Sequence, residues 1–217
     1  MGANENAEAA FIARMTASTT HELRNVLAVV KESAGLVEDL TLAVQQRKAV
    51  NPDKLLQATR RIEAQVGRGA DLLTGLSRLA HGLDHPVESI DLGQHARQVA
   101  FLCQRFARQR RQRVDVEGGD GVPCVRANSL AMQMALTAAI DCCIEQWPEE
   151  TAITIGVEAQ AGRPVLGFRG VAKAALATPA AAKSWERLRS LAAGVGGAIE
   201  TDGTAGFRLV FASSPTA

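Results

Sequence analysis

Apolar residues recur along the first half of the chain in steps of four and three. From Glu5 to Gln46 the positions Ile12, Thr16, Thr19, Leu23, Val26, Val30, Ser33, Val37, Leu40 and Val44 fall on one seam. That is a heptad repeat, and it predicts one long helix. Seven of those ten positions are apolar, enough to line a bundle. The run from Gln46 to Asp53 interrupts the pattern, and Asn51 and Pro52 read as the cap and first residue of a second helix. Its seam runs Leu55, Thr59, Ile62, Val66, Gly69, Leu73, Leu76, Ala80 and Leu83. Gly67, Gly69 and Gly75 weaken this helix in isolation. Packing must therefore hold it, or the glycines mark close contacts between helices. Two amphipathic helices on a short connection predict an antiparallel hairpin. One hairpin cannot cover its own apolar stripe, so dimerisation into a four-helix bundle is expected.

The polar break His81-Gly-Leu-Asp-His-Pro86 separates the hairpin from a segment of different character. There, Ile90 to Arg113 reads as a helix, Val114 to Glu117 as a strand, and Gly118 to Pro123 as a turn. Leu130 to Gln146 is a strongly apolar helix. Thr151 to Ala159 and Pro164 to Arg169 read as strands, and Ser184 to Ala193 as a helix ending at Gly194. Strands at Ala198 to Glu200 and Phe207 to Phe211 flank Asp202-Gly203. The mixture predicts an α+β sandwich with helices on one face of a sheet. The expected domains are residues 1–83 and 84–217.

Composition narrows the class. The 217 residues carry a net charge of +1, with 47% hydrophobic, 22% charged and 4% aromatic residues and no tyrosine. A core of Leu, Val, Ile, Met and Ala favours helices over an all-β sandwich. The near-neutral charge argues against nucleic-acid affinity of the whole chain. No apolar run approaches the roughly 18–20 residues that span a bilayer, and the polar start is no signal peptide. A cytoplasmic protein without membrane insertion is expected. Cys103, Cys124, Cys142 and Cys143 form no C-x-x-C pair and read as small buried hydrophobes in a reducing compartment. Six arginines between Arg97 and Arg113, with no acidic residue among them, read as a solvated helix face. His81, His85 and His95 lack the further ligands a metal site needs.

The stretch Ser18-Thr-Thr-His-Glu-Leu-Arg-Asn-Val-Leu27 carries the candidate chemistry. With Thr16 and Thr19 on the seam, His21 falls on the opposite, solvent side of the first helix. An imidazole has a ring nitrogen free for nucleophilic work near neutral pH. Glu22 is placed to accept a hydrogen bond from the ring and hold one tautomer. Asn25, four residues on, faces the same side, where it could bond a phosphoryl oxygen or position a water. Arg24 could offset phosphate charge.

Thr20-His21-Glu22-Leu23-Arg24-Asn25 resembles the phosphoacceptor box of two-component sensor histidine kinases. The resemblance extends through Ile90-Asp91-Leu92, Val114 to Glu117, Gly121 to Pro123, Trp185 to Arg189 and Gly196-Gly197, which are similar to parts of the family's GHKL-type ATP-binding domain. It implies that His21 is the phosphoacceptor, assisted by Glu22, Arg24 and Asn25. It also implies a homodimer, and docking of response-regulator receiver domains near Ala28, Val29 and Glu32 and on the facing part of the second helix.

The departures from the family pattern shape the expected function. The two asparagines of the nucleotide-binding helix would fall at about Thr137 and Asp141. The glycine box that grips adenine is replaced by Gly170-Val-Ala-Lys-Ala-Ala, and Leu176 to Lys183 holds no glycine. Phosphate cradles need backbone amides in glycine-permitted conformations. The chain therefore resembles histidine phosphotransferases with degenerate ATPase-like domains, which relay phosphoryl groups between receiver aspartates. ATP is not expected as a cofactor, and the receiver would supply Mg2+. The competing readings are a divergent ATP-dependent kinase and a non-catalytic dimeric module that sequesters receivers. A phosphatase role, with Asn25 orienting a water, belongs to the first reading.

Overall fold

A computed structural model describes residues 2–82, 87–171, 177, 179–201 and 206–212. The chain is α+β: a helical pair followed by a mixed sheet with helices. Its packing divides into two compact units. One comprises Ile12–Arg78, and the other comprises Leu79–Ala217 with the first eleven residues. The expected boundary at residues 83 and 84 lies outside the described residues.

The first helix, α1, spans Gly2–Gln45, and α2 spans Pro52–His81. The connection between them is built as its sequence suggests. The Asp53 backbone N–H donates to the Asn51 side chain at 2.8 Å, and Pro52 opens α2. At the end of α1, Lys48 N–H reaches Ala43 O at 3.0 Å and Arg47 N–H reaches Val44 O at 2.9 Å. This double closure needs a left-handed residue, and Arg47 supplies it with φ 55°.

Cross-helix partners run in opposite directions. Glu22 pairs with Arg68 and Glu32 with Arg61, so α1 and α2 are antiparallel. A Cβ on Gly69 would sit 3.4 Å from Val26 Cγ1 and 3.9 Å from Leu23 Cδ2, which marks the close approach of the helices. Gly67, by contrast, faces open space.

The seams differ in part from the expected ones. On α1, Thr19, Val26 and Ser33 are buried, but Thr16 is exposed and Val44 is 59% exposed. Phe11, Met15 and Ser18 are buried instead. On α2 the buried positions are Ala58, Gly69, Leu72, Gly75 and Leu79, whereas Leu55, Thr59, Val66, Leu73 and Ala80 are exposed. The larger apolar side chains of α2 thus form a second stripe, about 100° around the helix from the one that meets α1.

In the second unit, strand β1 (Glu88–Ile90) pairs antiparallel with β3 (Val125–Ala127). Ile90 therefore belongs to a strand, and the helix α3 begins later, at Leu92–Gln109. The reason is Asp91, whose carboxylate accepts Gln94 N–H at 2.9 Å and caps the helix. Strand β2 (Arg113–Gly118), helix α4 (Ser129–Gln146), strands β4 (Ala152–Gln160) and β5 (Arg163–Val171), helix α5 (Trp185–Gly194), and strands β6 (Gly197–Thr201) and β7 (Phe207–Phe211) complete the unit. Asn128 caps α4 through Ala131 N–H at 2.8 Å.

The larger sheet has the order β2-β4-β5-β7-β6, with β2 parallel to β4 and the remaining pairs antiparallel. Register places Val157, Leu166, Leu209 and Ile199 in one row, and Ile155, Phe168 and Phe207 in another. Nearly every one of these is buried. Strand alternation puts Glu158, Arg169 and Arg208 on the opposite face. Phe168 stacks on Phe207 at 4.7 Å, and Trp185 meets Phe207 edge-on at 5.3 Å. Gly118 is obligatory at the end of β2: its φ is +76°, and a Cβ would lie 2.4 Å from Val157 O.

Cys103, Cys142 and Cys143 are buried, but Cys124 is exposed, correcting the expectation for that residue. It stands just before β3, in the connection from β2. His95 is a structural residue of α3, with Nε2 3.1 Å from Ser129 Oγ and Nδ1 3.1 Å from Asp91 O. His85 and the side chain of His81 lie outside the described residues. Several of the arginines are partnered: Arg97 donates to Gly118 O at 3.1 Å, and Arg111 and Arg113 pair with Glu149 and Asp115. Among the described residues no helix is long and apolar enough to cross a membrane, and no cluster of His, Cys, Asp and Glu has metal-site geometry.

Candidate functional site

His21 lies in the middle of α1, on a fully helical stretch, and is exposed. Asn25 follows one turn later, so both side chains leave the helix on the same side. The Asn25 side-chain nitrogen lies 3.3 Å from His21 Nδ1. That contact leaves Nε2 as the outward ring nitrogen.

Glu22 is oriented differently from the ring. Its carboxylate accepts a hydrogen bond from the Arg68 guanidinium of α2. The side chains are 12% and 33% exposed, so the pair is partly shielded from water. Glu22 was expected to serve the imidazole; the structure gives it a cross-helix partner. Arg24 is exposed on α1, three residues after His21.

The His21 side of the hairpin continues as a shallow depression. A cavity of about 600 Å³ is lined by Ala28, Lys31, Glu32, Ser33 and Leu36 of α1 and by Arg61 of α2. The steps from His21 to Asn25, Ala28 and Glu32 are four, three and four, so these residues share one stripe of the helix. Of the expected docking residues, Ala28 and Glu32 line this cavity and are exposed. Val29 is half-buried and does not line it. Glu32 and Arg61 form an ion pair at 3.6 Å on the rim. Ser33 is 1% exposed, and its hydroxyl has no hydrogen-bond partner among the described residues.

Arg61 and Arg68 are the site residues that sequence reasoning missed. They stand seven apart on α2 and so share a stripe. That spacing was available, but its meaning depends on the register of α2 against α1.

The second unit shows what surrounds the positions at which the family would bind nucleotide. Thr137 is 2% exposed, and its hydroxyl lies 4.0 Å from Cys103 Sγ. Asp141 is half-buried. Gln133, one turn before Thr137, is 1% exposed, and its amide oxygen has no partner among the described residues. Residues 172–176 and 178, which contain most of the altered glycine box and the start of the lid stretch, lie outside the described residues. The chain between Ala177 and Ser184 is anchored on α4 and on Trp147 just beyond it. Trp147 Nε1–H donates to Ala177 O at 3.1 Å, Ser184 N–H donates to Glu145 at 3.3 Å, and Cys142 Sγ lies 3.1 Å from Ser184 Oγ. Pro179 and Ala182 are buried there. Burial pushes the Cys142 thiol up to about 11, against a smaller opposing effect of the Ser184 hydrogen bond. Burial likewise raises Cys143.

No family model matches the chain, and no curated protein sequence matches it. Among solved structures, the chain is similar to Acinetobacter baumannii histidine kinase AdeS, with 14% identity, a TM-score of 0.44, and coverage of 89% of this chain and 98% of that one. It is similar to the catalytic domain of histidine kinase ThkA, with 14% identity, a TM-score of 0.45, and coverage of 58% and 94%. It is also similar to the cytoplasmic segment of histidine kinase QseC, with 14% identity, a TM-score of 0.44, and coverage of 70% and 95%.

Proposed function

We propose that this chain is a phosphorelay histidine phosphotransferase that accepts a phosphoryl group on His21 from a receiver aspartate and passes it to another receiver. The observation that carries this reading is the placement of His21. It is an exposed imidazole at mid-helix, and the side of the hairpin it occupies continues into a cavity of about 600 Å³. A nucleophile on a rigid helix beside a docking depression suits a transfer in which positioning does most of the work. Receiver docking would use Ala28, the half-buried Val29, Glu32 and the facing Arg61.

The outward Nε2 attacks the phosphorus of the aspartyl phosphate in line. The bond from phosphorus to the carboxylate oxygen breaks, and its electron pair leaves with the aspartate. The reverse step regenerates the imidazole. Arg24 lies one turn from His21 and can offset charge on the phosphoryl oxygens. The receiver brings the Mg2+ that such a transfer uses.

Among the described residues of the second unit, those at the nucleotide-binding positions do not suit ATP. Thr137 offers one hydroxyl, enclosed beside Cys103, where the resembled family uses an asparagine amide. The lid-equivalent segment is tied to α4 and its end through Trp147, Glu145 and Cys142. Both observations support phosphoryl supply from a protein donor.

A homodimer completes the reading. Leu27, Leu55, Val66 and Leu73 are 65%, 39%, 58% and 56% exposed. They lie away from the His21 side, and a second copy would cover them in a four-helix bundle.

The test is incubation of the protein with a phosphorylated receiver, measuring transfer to the protein and on to a second receiver. Wild type should be labelled, and His21→Ala should not. Labelling that persists in His21→Ala, or a wild type that only binds receivers, contradicts the proposal.

A further inference from the structure

We propose that Asn25 decides which ring nitrogen of His21 holds the proton, and so acts as a positioning residue that gates the nucleophile; this rests on His21 being the phosphoacceptor. The contact is Asn25 Nδ2 to His21 Nδ1 at 3.3 Å. In that orientation the amide nitrogen can only donate, so it is matched by a ring whose Nδ1 accepts. A neutral ring with Nδ1 as acceptor carries its proton on Nε2. The outward nitrogen then has no free lone pair, and the ring is at rest.

The neighbouring carboxylate has a cross-helix partner of its own. Glu22 is engaged by Arg68 across the hairpin, on the flank of α1 that faces α2. Asn25 is exposed, so packing does not fix its amide. Its χ2 torsion is roughly two-fold, and turning it by 180° exchanges oxygen for nitrogen within nearly the same volume. With Oδ1 presented, Nδ1 keeps the proton and donates it to the amide oxygen. Nε2 then holds its lone pair outward.

The proton and electron balance favours that second state during transfer. Nε2 donates its lone pair to phosphorus, and the bond from phosphorus to the aspartyl oxygen breaks with its pair going to the carboxylate. The ring becomes a cation with hydrogen on Nδ1 and the phosphoryl group on Nε2. Asn25 Oδ1 accepts from that Nδ1–H, whereas the amide nitrogen would oppose it. On return, the receiver carboxylate attacks phosphorus, and the pair of the broken P–N bond goes back to Nε2. One side chain thus supports the resting ring in one orientation and the charged ring in the other.

The test reads tautomers directly. Ring 15N shifts of His21 are measured in the full chain at pH 9, above the range in which imidazole ordinarily titrates. Wild type, Asn25→Ala and Asn25→Asp are compared, with Asp supplying an acceptor only. The fraction protonated on Nε2 should fall in the order wild type, Asn25→Ala, Asn25→Asp. Any other order overturns the gate. Labelling by a phosphorylated receiver is measured on the same wild-type sample. If wild type is labelled and the tautomer order is not obeyed, the gate alone fails. If wild type takes no phosphoryl group, the functional reading fails and the gate falls with it.

Discussion

The Arg68 guanidinium donates to the carboxylate of Glu22, the residue next to His21, and ties α2 to α1 at the level of the candidate site. Glu22 is 12% exposed along its side chain, so removing Arg68 leaves a poorly hydrated charge. Arg68→Ala should therefore destabilise the hairpin by about 1–2 kcal/mol, below the cost of breaking a fully buried pair. Glu22→Gln in the Arg68→Ala background should recover part of that loss. Urea denaturation of the four proteins of the cycle measures the coupling, and additive effects would show that the pair contributes nothing.

The end of α1 offers a stabilising change. Arg47 holds the left-handed position of a helix-closing motif with φ 55°, where glycine carries no Cβ penalty. Arg47→Gly should raise stability by about 1 kcal/mol, the scale of the left-handed penalty for a residue with a Cβ. Arg47→Ala keeps the penalty and should not share the gain. Thermal melts of both variants check the expectation.

Much of this architecture is legible in the sequence, and the exceptions have physical causes. The period of apolar residues locates α1 and α2 closely. It does not identify which face of α2 meets α1, because α2 carries two apolar stripes. The bulkier one, with Leu55, Val66 and Leu73, dominates the pattern. The contact uses Ala58 and Gly69 instead, small residues that let the helices approach. Strands β1 and β3 are three residues each, too short to show alternation. Ile90 reads as helical only while Asp91 is taken for an interior residue; as a cap, Asp91 leaves Ile90 to the strand. At the site, the spacing of His21 and Asn25 is enough to place them together. The partner of Glu22 is not legible, since it depends on the register between two helices.

The cysteines provide a pH-dependent test. Cys124 is exposed, while Cys103, Cys142 and Cys143 are buried. At pH 8 one thiol should react rapidly with a maleimide and three only on unfolding, with mass mapping to Cys124. Burial raises the Cys142 thiol to about 11, and an unfolded thiol titrates near 8.5. The neutral thiol is thus favoured by the fold. Its contribution to stability is present in full below about 8.5 and is lost as pH rises through about 11. Unfolding free energy should fall over that interval, and Cys142→Ser should reduce the slope.

Mg-ATP should leave the melting temperature unchanged across a titration into the millimolar range. A ligand of the native state must stabilise it in proportion to its saturation. The enclosed hydroxyl of Thr137 and the tied segment at Ala177 and Ser184 give ATP little to hold. A saturable rise would assign the chain to the ATP-dependent kinases and remove the need for a protein donor.

The exposed stripe of the hairpin predicts the oligomeric state. Val66 and Leu73 are 58% and 56% exposed although both are large and apolar, and covering such a side chain yields about 1.5–3 kcal/mol. In a two-fold dimer each substitution acts twice. Val66→Asp should therefore weaken association by at least about 3 kcal/mol, more than a hundredfold in Kd at about 1.4 kcal/mol per tenfold. Val66 lies on the side of α2 away from Arg61 and Arg68, so helix content should be retained. Sedimentation should then give a dimer for wild type and a monomer for Val66→Asp, with Lys31→Ala on the His21 side remaining dimeric. A wild-type monomer would show that this stripe is covered by something other than a second copy. Dissociation by Lys31→Ala but not by Val66→Asp would move the interface to the side of the hairpin that carries His21.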